Sequence, residues 1–242
     1  MSGTVRFALI FAAAWLALDR LATAPPYLPA AVAALAAASA VLVLGMRFLQ
    51  GQPLRRLPVL LGLRLRPSTP RACLVATLIG AGVIATYLGG AALLGVHLTL
   101  RGNWPAVLVA ALLFHGVAEE LVWRGFAFGH LRRRARFGQA VALSIPLIAL
   151  THVPILITSG PMVGLLALLS AAVTCLPLAW LWERGGHSTW PPAIVHGLIG
   201  TWQLWERTYP PQFTVVVLAA SILVPMLAFL YRPSRSKDKI FH

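Results

Sequence analysis

The chain has 242 residues, 59% of them apolar and 11% charged, with a mean hydropathy of +0.80; a soluble domain carries about a quarter charged residues. Six acids against twenty Lys and Arg give a formal charge of +14, and charges this sparse cannot solvate a globular surface, so a disordered chain, a cytosolic globule and a multidomain soluble enzyme are excluded. The basic residues lie in gaps between apolar runs instead of forming one face with interleaved aromatics, so no nucleic-acid partner is expected. Cys73 and Cys175 both sit inside apolar stretches, with no disulfide framework or CxxC metal knuckle.

A bilayer core of about 30 Å takes about 20 apolar residues per helix. Eight stretches approach that length, at about 5–24, 27–46, 73–96, 105–130, 138–158, 161–182, 189–205 and 212–231. The expected fold is therefore all-α, a polytopic bundle of about eight transmembrane helices forming a single integral membrane domain over 1–242. Breaks fall at Pro25-Pro26, Pro67 to Pro70, Gly102-Asn103, Ser159-Gly160-Pro161, Gly185-Gly186 and Pro210-Pro211, where turn chemistry puts them. The first stretch also carries signal-peptide features, with Arg6 ahead of the apolar run and Ala22-Thr23-Ala24 resembling a cleavage site. Asp19-Arg20 interrupts it and Pro25 follows the cut, so retention is expected.

The segment from Arg47 to Arg71, with Leu57, Val59, Leu60 and Leu61 inside it, reads as a positive loop or as a stretch lying on the anionic inner leaflet. Most Lys and Arg fall at the N-terminus and in the gaps after spans two, four, six and eight; the alternate gaps hold only Arg20, Arg101 and Arg207. Cytoplasmic loops concentrate Lys and Arg, so both termini are expected in the cytoplasm and the number of spans even. Trp104, Trp180, Trp182, Trp190, Trp202 and Trp205 stand near span ends, where interfacial aromatics gather.

The fourth span carries Glu119, Glu120 and Arg124, and charges at that depth need a reason. Glu120 and Arg124 are four residues apart, share a helix face and can pair. Glu119 points about 100° away, with His115 one turn before it on its own face. His152 lies deep in the fifth span and His196 in the seventh. Counted from the cytoplasmic ends, Glu119, His152 and His196 lie about twelve, fourteen and eight residues deep, which agree within about 9 Å at 1.5 Å per residue. One Glu and two His can thus meet near mid-membrane. The alternative is a structural Glu120–Arg124 pair and histidines that each satisfy a local carbonyl. A Glu without a cationic partner in this setting suits a general base that takes a proton from water.

Other ways of cutting a peptide bond in a membrane would leave different residues. No GxSG serine pattern occurs, the only Asp residues are Asp19 and Asp238, and His115 to Glu119 reads HGVAE, which is not the HExxH zinc helix. Glu and His remain.

The stretch Ala118-Glu119-Glu120-Leu121-Val122-Trp123-Arg124-Gly125-Phe126, then His152, then Ser188-Thr189-Trp190-Pro191-Pro192-Ala193-Ile194-Val195-His196, resembles the CPBP family of CAAX prenyl endopeptidases and bacteriocin-processing or self-immunity (Abi) proteins. The resemblance covers about 105–205, taken as the catalytic core, and rests on three blocks in order. It implies an intramembrane endopeptidase in which Glu119 and His152 activate a water, Glu120 and Arg124 support the site, and His196 polarises the scissile carbonyl or holds the oxyanion as a neutral imidazole donor. Two departures stand out. Ile148 takes the place of a usual Phe, and Gly200 stands where the third motif expects Asn or Asp four residues after its His. Thr201 is turned away, whereas Gln203, seven residues after His196, returns to its face and is the candidate substitute donor. Losing one oxyanion donor lowers the rate 100- to 1000-fold.

Metal-free glutamate catalysis is expected, with zinc on Glu119, His152 and His196 as the competing mechanism, because a Glu that ligates zinc cannot easily act as base. The expected partners are the bilayer and a membrane-associated protein or peptide, in the bacterial cytoplasmic membrane. Two other functions stay open: a degenerate scaffold or immunity protein that binds a peptide without cutting it, for which Gly200 speaks, and a proton-coupled transporter, which lacks the inverted repeat such proteins carry.

Overall fold

A computed structural model of the chain describes residues 1–22, 27–158, 160–206 and 210–232. Thr23 and Ala24 of the cleavage-like sequence, the Pro25-Pro26 break, Ser159, Arg207 and Asp238 lie outside the described residues. Seven of the helices carry a proline in their first turn, where its fixed φ suits the helix and its missing N–H is not needed. In chain order the helices are α1 (Gly3–Asp19), α2 (Leu28–Leu49), the short α3 (Leu57–Leu60), α4 (Thr69–Leu93), α5 (Trp104–Arg132), α6 (Phe137–Thr158), α7 (Pro161–Arg184), α8 (Trp190–Ile199) and α9 (Pro211–Leu230). The described residues contain no strand, only an isolated bridge between Leu100 and Trp205.

Six of these helices, α2, α4, α5, α6, α7 and α9, are long and apolar enough to cross a membrane. Their apolar residues run all round, so that Leu74, Leu78, Leu150, Ile157 and Leu165 stay exposed outside the bundle, as a lipid-facing surface requires. The other two stretches read as spans are shorter. α1 ends at Asp19 after 17 residues, about 25 Å at 1.5 Å per residue. α8 has 10 residues before the chain tightens into a 3-10 turn at Gly200–Leu204.

The core has an N-terminal and a C-terminal part. In the first, Phe7 of α1 stacks on Phe126 of α5 and Phe11 lies tilted against Trp123, with ring centroids 5.4 and 5.6 Å apart. The fully buried stripe Ala31, Ala34, Ala38 and Leu42 of α2 packs into the same cluster. In the second, α4 lies along α7, α8 and α9. Tyr87 of α4 donates to the Ile199 carbonyl at 3.1 Å and shares a 2.7 Å hydrogen bond with Ser221 of α9.

α5 sits between the two parts and is not a uniform α-helix: it widens into π-helical turns at Leu112–Ala118 and Leu121–Phe128, on either side of Glu119-Glu120. Such turns concentrate at functional sites. α5 meets α8 at a notch of two glycines. A Cβ on Gly116 would lie 2.8 Å from the Ala193 carbonyl oxygen, and one on Gly197 would lie 3.4 Å from the Gly116 Cα. At this approach His196 of α8 reaches Glu119 and Glu120.

Gly116→Ala should therefore force two backbones apart and destabilise the fold by about 1–3 kcal/mol. Thermal unfolding in detergent should show a lowered Tm for this variant and none for Gly138→Ala, whose Cβ meets nothing within 4 Å.

Candidate active site

Glu120 is a buried acid with no exposed surface. Its Oε1 accepts from Arg124 Nη1 at 2.6 Å and from His196 Nδ1 at 2.7 Å. The i, i+4 spacing brings the Arg onto the same helix face, and the glycine notch brings the His. Because a carboxylate only accepts, the His196 Nδ1 carries a proton. Glu120 Oε2 is buried without a hydrogen-bond partner among the described residues.

Glu119, the next residue, lies in a different setting. Its side chain is 20% exposed, against 0% for Glu120, and it lines a cavity of about 260 Å³ together with His115, His152, His196 and Gln203. That space holds several water molecules. Glu119 Oε2 lies 3.3 Å from His115 Nδ1 and 3.5 Å from His196 Nε2, so it faces two imidazoles and is not the unpartnered acid expected from the sequence.

His152 reaches the same cavity from α6 with its tautomer set locally. Its Nδ1 donates to the Ile148 carbonyl at 2.8 Å, and the Thr151 hydroxyl donates to the same oxygen at 2.6 Å. In the neutral ring Nε2 is then a bare lone pair. The contact that orients the His comes from the backbone of Ile148, so a Phe side chain at that position is not needed for it.

Gly200 also lines the cavity. A Cβ there would lie 3.1 Å from the Cδ2 of His115, so the His115 ring fills the place of the expected Asn or Asp side chain. Gln203 lines the cavity as well, but its Nε2 is engaged by His115 Nε2 at 3.0 Å, and its Oε1 is buried without a hydrogen-bond partner among the described residues. The amide donates to His115, whose Nδ1–H then points at Glu119. Gln203 thus holds His115 instead of offering its amide to the reacting carbonyl. Thr201 turns away, donating to the Leu198 carbonyl at 2.7 Å. Ser170 and Thr174 of α7 also line the cavity. Their polar i, i+4 pattern in an apolar span was the signal for them, and the sequence reading passed over it.

The donor atoms that lie within 4.8 Å of one another belong to His115, Glu119 and His196, so His115 stands in the cluster where His152 was expected. Zinc takes N and O ligands at about 2.0–2.2 Å. The three residues supply the N and O donors that such an ion takes, and Glu120 on the far nitrogen of His196 is the outer-shell carboxylate such sites use.

Gly200→Asn alone should lower the Tm, because its Cβ presses on the His115 ring and disturbs the contact with Glu119. Combining it with His115→Ala should relieve that clash and restore the wild-type Tm. Melting curves of the three variants check this.

Residues 101–202 match a family model described as Rce1-like, type II CAAX prenyl endopeptidase Rce1-like. A comparison with curated proteins finds no match. Glu119, Glu120, Arg124, His152 and His196 all fall inside the matched stretch, and the family is the one the three sequence blocks resemble. Residues 101–202 are thus similar to the type II CAAX prenyl endopeptidases, a membrane protease family, in a chain whose six long apolar helices make it an integral, multi-pass membrane protein.

Proposed function

We propose that the chain is an intramembrane endopeptidase that cleaves a membrane-associated protein or peptide with a water activated by Glu119. The observation that carries this reading is the contrast between two adjacent carboxylates, one sealed on Arg124 and His196, the other open to a cavity that His152 and His196 also line.

Glu119 takes a proton from water while the bare Nε2 of His152 accepts from the same molecule, and the hydroxide formed attacks the scissile carbonyl. The oxyanion needs a donor. Glu120 already takes the Nδ1 proton of His196, so a neutral His196 presents a lone pair at Nε2, and the ring donates there only as imidazolium. The donor proposed is thus the charged ring, where the sequence led to the expectation of a neutral one. With Glu119 and Glu120 ionised, Arg124 and a protonated His196 balance the site to zero net charge. One such donor is worth about 2.7–4 kcal/mol. Glu119 then returns its proton to the leaving amine. His115, anchored by Gln203, keeps the carboxylate aimed into the cavity.

Zinc held by His115, Glu119 and His196 would supply Lewis-acid polarisation and a more acidic water, but it would use the carboxylate that base catalysis needs. The proposed reaction is metal-free. We place the protein in a bacterial cytoplasmic membrane, with α1 and the α8 segment completing eight passes and both termini in the cytoplasm, on the strength of the Arg-rich gaps.

Glu119→Gln should abolish cleavage of a labelled pool of membrane-anchored peptides by purified protein, a loss of at least about 100-fold, with no change in Tm. Equal cleavage by wild type and variant would overturn the assignment in favour of a peptide-binding scaffold. Activity should survive dipicolinate; loss on chelation with recovery on added zinc would make Glu119 a ligand and remove it as base.

A further inference from the structure

A second cavity, of about 640 Å³, opens at the Arg-rich end of the bundle, away from Glu119. Its walls are Val59 and Leu60 of α3, Trp182 and Glu183 of α7, and four basic side chains, Arg66, Arg132, Arg133 and His187. The walls are held in place by hydrogen bonds that tie the segment after α3 to the turn after α7. Thr189 donates its hydroxyl to the Leu61 carbonyl at 2.7 Å and its N–H to Gly62 at 2.9 Å. Trp190 Nε1 donates to Leu63 at 3.0 Å, and the Thr69 hydroxyl to Gly185 at 2.8 Å.

The charges do not balance. Arg132 is used by Glu183 in a two-pronged contact at 3.0 and 2.7 Å. Glu183 is the one acid in the lining, which leaves the guanidinium charges of Arg66 and Arg133 in excess. Partial burial and the adjacent Arg134 bring the Arg133 guanidinium down to about 10. His187 is lowered by burial first, with Arg66, Arg132 and Arg133 pushing the same way against Glu183.

Two further features point to a ligand. The indole N–H of Trp182 is buried with no acceptor among the described residues, an unmet demand that native structures rarely tolerate. His187 holds φ of 59°, the only non-glycine at positive φ among the described residues, and such backbone strain concentrates at ligand clamps. In the segment that contributes Val59, Leu60 and Arg66, Phe48, Leu54 and Leu65 are 75%, 58% and 71% exposed and stand next in sequence to Arg47, Arg55 and Arg64, the composition of a surface seated at an anionic leaflet.

We propose that this cavity binds a phosphate group, supplied by the headgroup of an anionic phospholipid, with Arg66 and Arg133 as its cationic contacts, Trp182 Nε1 as a neutral donor and Val59 and Leu60 against the apolar part of the lipid. The site is separate from Glu119 and stands whether or not the chain cleaves peptides.

Native mass spectrometry of the full chain in detergent, titrated with dioleoyl phosphatidylglycerol or dioleoyl phosphatidylcholine, tests it, with inorganic phosphate as competitor. One phosphatidylglycerol should be retained in preference to phosphatidylcholine, and Arg66→Gln with Arg133→Gln should weaken it at least about tenfold, as loss of charge-assisted hydrogen bonds does. Trp182→Phe keeps the ring packing against Phe128 and His187 and should weaken retention without moving the Tm, which guards against misfolding of the double variant. Displacement by inorganic phosphate at concentrations near those of the lipid would support the phosphate site but overturn the lipid as its source. Equal retention of both lipids, or of phosphatidylglycerol by wild type and Trp182→Phe alike, would overturn the proposal.

Discussion

Arg124 and His196 converge on one oxygen of Glu120, a carboxylate with no exposed surface, and the geometry of the rest of the site follows from that contact. A charge taken out of water is tolerable only when it is paired and hydrogen-bonded, and removing one partner of a buried pair costs about 3–5 kcal/mol. The contact joins α5 to α8 across a notch where no side chain fits. It also fixes which nitrogen of His196 faces Glu119. A structural requirement, neutralising an acid in an apolar interior, thereby sets the orientation of a group at the cavity.

Neighbouring residues of one type are given different work by their surroundings. Glu120 takes two donors on one oxygen and is shut from solvent, whereas Glu119 faces imidazoles and a cavity with room for water. The three histidines are divided in the same way. His152 is set by a backbone carbonyl, His196 by a carboxylate and His115 by an amide. Each is held through one ring nitrogen, and what the other nitrogen can do depends on that anchor.

Much of this was legible in the sequence where helical periodicity holds. The i, i+4 relation of Glu120 and Arg124, the separate face of Glu119 with His115 one turn away, and the common depth of Glu119 and His196 all rest on 3.6 residues per turn. The sequence says less where that periodicity stops. Gln203 was carried to the face of His196 by counting seven α-helical residues, but the α-helix ends at Ile199 and a 3-10 turn follows, with three residues per turn. The ring of His115 also occupies the space above Gly200, a tertiary fact that no local pattern encodes. The zinc set named His152 in place of His115 because depth along separate helices does not tell which rings face each other. Length is also a coarse guide at α1 and α8, where the apolar runs continue past the ends of the helices at Asp19 and Ile199.

The wide turns flanking Glu119-Glu120 bear on how the span tolerates change. In a helix, adding or dropping one residue swings everything beyond it by about 100°, and a π turn absorbs one such surplus residue. Residues 112–128 carry two of these, one on each side of the acidic pair. A one-residue deletion there would leave hydropathy and length almost untouched, and the chain would still insert. Yet it would rewind the span and re-aim its two halves relative to each other. In this segment phase, more than composition, is what inheritance must preserve.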